Sequence, residues 1–122
     1  MRLSPDLHDE VVSRTSHLPH VIAATLANVV LGGKPRVQQG ALCANGFRDT
    51  TRIASGSPEM WRDIAMANRR YLVQALDLFL IEARKLRKYI GRGNADGIEQ
   101  YLSQAKGHRD RWQRVGNPRG LE

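Results

Sequence analysis

Two arginines, Arg48 and Arg52, stand four residues apart in the stretch GFRDTTRIA, and two histidines, His17 and His20, stand three apart in SHLPH. At helical spacing each pair projects from one face. A guanidinium offers two parallel N–H donors that match a carboxylate, an arrangement lysine does not copy. The plainer use of the same arginines is a surface ion pair with Asp49 or Asp63. The histidines admit three uses: metal ligands, packed structural rings, or contacts to a bound molecule. Two histidines with no third ligand at a fixed spacing argue weakly for metal, and none is expected. Neutral imidazole can add a hydrogen bond to an anion site without adding charge. Trp61 reads as core, or as the wall of a pocket beside the arginines. Thr50, Thr51 and Ser55 have no base at helical spacing, so nothing supports nucleophilic catalysis. The glycine-rich GRGNADG, residues 91–97, has the glycines of neither a phosphate loop nor a dinucleotide fingerprint, and it links two helices instead of following a strand. These residues supply anion grips and no engine.

The elements that must hold them are helical. Ser4 followed by Pro5 is a start signal, a capping serine with proline at the first helical position. The run continues to Val30 and ends at Gly32-Gly33-Lys34-Pro35. Pro19 interrupts it, at an interior cost of roughly 3 kcal/mol. Two resolutions are open. A new helix begins here with Ser16 as N-cap, which would present unpaired N–H donors to an anion, or one helix continues through a kink. A turn hinged at Asn45-Gly46 precedes a short helix over Phe47 to Ala54, and Gly56 breaks it. Ser57-Pro58 opens the next helix, whose apolar stripe runs from Trp61 to Ile90 over about nine turns. So long a helix outgrows a small monomeric bundle and points to pairing with another chain. After Gly91-Arg92-Gly93-Asn94, Asp96 and Glu99 are expected to form the capping box of a last helix that reaches Val115.

The composition narrows the classes. With 122 residues the chain is expected to be a single helical domain over 1–122, with an ordered core of about 5–115 and a patternless tail over 116–122. Few β-branched runs and only 6% aromatic residues favour an all-α bundle. No run approaches the roughly 18 apolar residues of a membrane span, and residues 1–6 lack the apolar stretch of a signal peptide, so a cytoplasmic location is expected. Cys43 is the one cysteine, which excludes an intrachain disulfide. The net charge of +7 invites a nucleic-acid partner. Yet Arg84, Lys85, Arg87, Lys88 and Arg92 cluster at a helix end, where cations complement the dipole. No recognition-helix signature accompanies them, so a basic nucleic-acid module is the alternative and not the expectation.

HDEVVSRTSHLPHVIAATL followed by GFRDTTRIASGSPEMWRDIAMAN closely resembles the C-terminal helical domain of the prephenate dehydrogenases, with the arogenate dehydrogenases as close relatives. The resemblance covers about Pro5 to Trp112. It implies an intertwined homodimer and a substrate cleft closed against a separate nucleotide-binding domain that binds NAD or NADP and is absent from this chain. It implies an enzyme that oxidatively decarboxylates prephenate to 4-hydroxyphenylpyruvate in tyrosine biosynthesis, with this part inactive alone. By resemblance Arg52 holds a substrate carboxylate and His20 approaches the substrate, with His17, Ser16 and Gly46 shaping the same pocket. Asp9, Arg48, Asp49 and Trp61 match an ionic network at the cleft entrance. The catalytic histidine of such enzymes has no counterpart here, and His8 is not it.

Overall fold

The computed structural model describes residues 2–33, 40 and 42–115, and every described element is helical. The chain divides into two compact units, one ending at Leu78 and the other starting at Phe79.

In the first unit, α1 (Pro5–Val12) opens as the serine–proline signal requires, with Ser4 Oγ accepting from the Leu7 N–H at 3.2 Å. It does not stop at Ser16. The chain passes through a π-helical turn at Ser13–His17 directly into α2 (Leu18–Leu31), where Pro19 lies in the first turn. This settles the two resolutions of Pro19 in favour of a continuous helix, and Ser16 caps nothing. The physical reason is local. In the wide turn the Leu18 N–H reaches back to the Ser13 carbonyl, so Pro19, which has no N–H to place, follows directly where the hydrogen-bond register already shifts. Ser13, only 1% exposed, turns its hydroxyl back onto the Glu10 carbonyl at 2.6 Å.

Gly32 ends α2, with its N–H on the Asn28 carbonyl, and Gly33 follows at φ 80°. Lys34 and Pro35 lie outside the described residues, as does the 116–122 tail. Asn45 and Gly46, expected as a turn, instead form the first turn of α3 (Asn45–Thr51), which tightens into a 3-10 segment at Arg52–Ser55. Both pack against α2. Gly56 returns the chain to extended geometry. Ser57 then caps α4 (Pro58–Ala67), its Oγ accepting from the Met60 N–H at 3.2 Å.

The nine-turn helix is divided. Asn68, at φ −116° and ψ 33°, separates α4 from α5 (Arg69–Gly91), although its N–H still reaches Ile64 and its carbonyl still accepts from Leu72. A repeating apolar stripe carries no signal of such a bend when the backbone hydrogen bonds continue through it. Ala23, Leu72 and Ala75 are the buried hydrophobic residues among those described. They make a thin core.

The second unit holds the rest of α5 and α6 (Ala95–Val115). Gly93 makes the turn at φ 64°, a conformation side chains resist. The cap is Asn94, whose Oδ1 accepts from the Gly97 N–H at 3.0 Å, and not the Asp96–Glu99 box. The loop geometry places Asn94 at the non-helical position that a capping side chain needs. Tyr101 donates to Glu82 Oε1 at 3.1 Å, and Lys85 pairs with the same carboxylate at 3.0 Å, tying α6 to α5. Among the described residues no helix is long and apolar enough to cross a membrane.

Candidate functional site

The π-turn and α2 bring His17 and His20 against one side chain of α4. The His20 ring stacks on the Trp61 indole, with centroids 3.7 Å apart and planes 9° from parallel. His17 meets the same indole edge-on, at 6.1 Å and 81°. The edge-on contact is one that aromatic quadrupoles favour, and the stack buries the two ring faces against each other. Trp61 therefore carries both histidines, and the proline-distorted helix is what aims them.

Two further residues complete the cluster. Asn68 Nδ2 donates to the Asp9 backbone carbonyl at 2.8 Å and lies 3.2 Å from His17 Nδ1, which links the bend between α4 and α5 to α1 and the π-turn. Gly56 borders the edges of both stacked rings. A Cβ there would stand 3.0 Å from Trp61 Nε1 and 3.4 Å from His20 Cε1. Neither residue was legible as part of a site. Asn68 reads as one polar residue on a helix, and Gly56 as a break. The available signal is a poor helix former eleven residues into an otherwise regular helical stripe.

His20 is 7% exposed, and desolvation holds its pKa below the ordinary 6.5. The ring is thereby kept neutral at pH 7. Neither of its nitrogens has a hydrogen-bond partner among the described residues. No fully buried side-chain nitrogen or oxygen lacks a partner in that set, so the His20 nitrogens must reach solvent, open to a ligand. The shift sets a pH dependence. Unfolded chains take up a proton near 6.5 that the folded ring resists, so this group costs stability as pH falls through 6.5 and has no effect above it. Urea midpoints should drop between pH 7.5 and 5.5, and His20→Gln should flatten that slope. An identical slope in the variant would remove His20 as its source.

Gly56 gives a second test. Its φ of −66° suits any residue, so Gly56→Ala adds no backbone strain to the folded state and acts there by sterics. Overpacking against a ring pinned on its other face costs about 1–3 kcal/mol, offset by about 0.4–1 kcal/mol from the stiffer unfolded chain. A net loss near ~1 kcal/mol is expected by denaturant titration. A raised midpoint would show that the indole yields freely.

Arg52 heads the 3-10 segment that packs on α2, and Arg48 lies one turn earlier on α3. Both are exposed, and among the described residues neither has an ion-pair or hydrogen-bond partner. The surface ion-pair reading fails: Asp49 holds neither arginine, and Asp63 accepts from Arg62 Nε at 3.0 Å. The rest of the expected set is dispersed. Asp9 enters the cluster through its carbonyl, while its carboxylate faces His8 at 3.3 Å. Ser16 is exposed on the π-turn, and Gly46 is exposed with its carbonyl taken by the Thr50 hydroxyl at 2.7 Å. No ionic network joins Asp9, Arg48, Asp49 and Trp61 among the described residues. Among these residues no three His, Cys, Asp or Glu side chains gather as metal ligands would. The arrangement offers two unpaired guanidinium groups and two imidazoles on an indole wall, donors suited to an anion.

The same organisation recurs in known proteins. The chain is 40% identical over 113 residues to a prephenate dehydrogenase of Bacillus subtilis, an alignment covering 90% of this chain and 30% of that protein. A Synechocystis arogenate dehydrogenase structure superposes with a TM-score of 0.83 at 30% identity, covering 90% of this chain and 41% of the other. A prephenate dehydrogenase from A. aeolicus, solved with hydroxyphenyl propionate and NAD+, superposes at 0.81 with 34% identity, covering 89% and 38%. The chain thus spans less than half the length of these relatives. The family described as prephenate dehydrogenase, dimerization domain, matches residues 4–104, and the chain belongs to it.

Proposed function

We propose that this chain is the dimerising, substrate-contacting part of an NAD(P)-dependent prephenate dehydrogenase, which oxidatively decarboxylates prephenate to 4-hydroxyphenylpyruvate on the way to tyrosine. The observation that carries the reading is the pair of guanidinium groups, Arg48 and Arg52, unpartnered among the described residues and borne on elements packed against the helix that bears His20. Prephenate carries two carboxylates. Guanidinium forks match them geometrically, and a neutral His20 adds a hydrogen bond without competing charge. The net charge of +7 draws a dianion toward the site, and the Trp61 wall excludes water from one side, which strengthens each of these contacts.

The cofactor does not fit the described residues. The glycine-rich stretch makes a helix-to-helix turn at Gly93 and offers no strand-to-helix phosphate cradle. The hydride acceptor and the base that acts on the ring hydroxyl are therefore assigned to a nucleotide-binding domain outside this chain, and the chain alone is inactive. Assaying the complete enzyme with prephenate and arogenate, each with NAD and NADP, tests the reading. Turnover of prephenate is expected, and turnover of neither substrate would overturn it. Arogenate is the second reading, favoured by the Synechocystis likeness; it differs from prephenate by an amino group in place of the side-chain keto group.

The homodimer has physical support of its own. Large apolar side chains stand in water along the chain: Leu78 at 47%, Ile81 at 54%, Ile90 at 58% and Leu102 at 54% exposure. Three buried hydrophobic residues among those described make a small core, and surfaces of this kind mark association. Light scattering of the chain at micromolar concentration should give twice its 13.7 kDa mass. A clean monomer would contradict the dimer.

A further inference from the structure

We propose that Asn68 is a positioning residue that fixes the ring tautomer of His17, so that the neutral imidazole presents an Nε2–H donor to the substrate. The inference rests on the proposed function for the identity of that substrate, and on geometry alone for the tautomer.

The Asp9 carbonyl can only accept. The Asn68 amide atom 2.8 Å from it must therefore be the nitrogen, since the oxygen would face a second acceptor. That assignment fixes both hydrogens of the amide. One is spent on Asp9, and the other faces His17 Nδ1 at 3.2 Å. A group with only hydrogens to offer requires a lone pair opposite, so His17 Nδ1 is the unprotonated nitrogen. In the neutral ring the proton then resides on Nε2. Nε2 has no hydrogen-bond partner among the described residues, which leaves it as an open donor. An open lone pair would repel a carboxylate; an open N–H binds it.

The surroundings hold the device in place. Asn68 is 8% exposed, and it sits at the one backbone distortion between α4 and α5. The T-shaped contact with Trp61 restrains the imidazole plane. The bend thus lets a single amide reach α1 and the π-turn at once.

Long-range proton–nitrogen correlation spectra of the nitrogen-15-labelled chain, recorded above imidazole's ordinary range near about pH 8, read the tautomer without substrate. His17 is assigned by the signal lost in His17→Asn. The expected wild-type pattern is Nε2–H; an Nδ1–H pattern or an even mixture overturns the proposal. Asn68→Asp replaces the donor with an acceptor, so its folded form should shift His17 toward Nδ1–H, whereas an unchanged pattern also overturns it. The wild-type spectrum decides even where that variant does not fold. In the complete enzyme Asn68→Ala should raise KM for prephenate about tenfold, the worth of one correctly presented hydrogen bond, with far-UV dichroism unchanged; an unchanged KM in a folded variant overturns the positioning role. Failure of the functional reading looks different, because the tautomer would persist while prephenate is not turned over at all.

Discussion

Arg52→Ala in the complete enzyme is expected to raise KM for prephenate by roughly 30- to 1,000-fold, the equivalent of about 2–4 kcal/mol for truncating one partner of a desolvated charge pair. The structure makes this a test of binding and not of folding. Arg52 is exposed and unpartnered among the described residues, so its removal breaks no internal contact and leaves no buried charge behind. Unfolding midpoints of the variant should stay within about 0.5 kcal/mol of wild type, as for other surface changes. Arg52→Lys sharpens the result. It keeps the charge and loses the parallel donors, so it should recover only part of the affinity. A KM unchanged within error for Arg52→Ala would remove the residue from the substrate site.

The second large effect is on stability. Trp61→Ala removes the indole on which His20 stacks at 3.7 Å and against which His17 stands at 6.1 Å. The residue is half-buried, so the cost falls below that of a core tryptophan, at about 3 kcal/mol including the paired-ring contribution. In a unit whose buried hydrophobic residues, among those described, are Ala23, Leu72 and Ala75, that loss has little to offset it. Melting the isolated chain at matched concentration should lower Tm by about 10 °C or more. Trp61→Phe keeps a stacking face and should recover most of the loss. A shift of only a few degrees in the alanine variant would mean that the histidines are held by the backbone alone. His20 would also become hydrated, so its pKa should return toward the ordinary value, observable by proton titration.

The two substitutions separate the roles of neighbouring residues. Trp61 is expected to act mainly on the fold through the rings it supports, and Arg52, in the proposed function, on the bound anion. Asn68 lies between them, since it contacts no substrate in this reading and its effect passes through His17.

Local chemistry carried a long way. Ser4-Pro5 and Ser57-Pro58 were readable as helix starts because a hydroxyl and a proline ring act on the next three residues, whatever lies beyond. Gly32 and Gly56 were readable as ends for the same reason. The paired motifs SHLPH and GFRDTTRIA identified the family, and residues 4–104 match it. Where the reading strayed, two local signals competed. Asp96 with Glu99 imitated a capping box, but Gly93 at positive φ left Asn94 in the capping position. Asn45-Gly46 imitated a turn, but the extended Ala44 already supplied the N-cap geometry for α3.

From its sequence alone the protein is an all-helical chain with guanidinium and imidazole donors on two helical segments, since periodicity, capping and donor type depend on neighbours within one or two turns. Tertiary structure alone decided how Pro19 is absorbed, where the long helix bends, and which side chains meet. The π-turn and the first turns of α2 bury Ser13, His20 and Ala23, a placement set by the packed surface and not by the local spacing of residues. Asn68 finds its acceptor 59 residues away, at Asp9. A contact at that separation leaves no periodic trace, because it is selected by the folded surface and not by the spacing of residues along the chain.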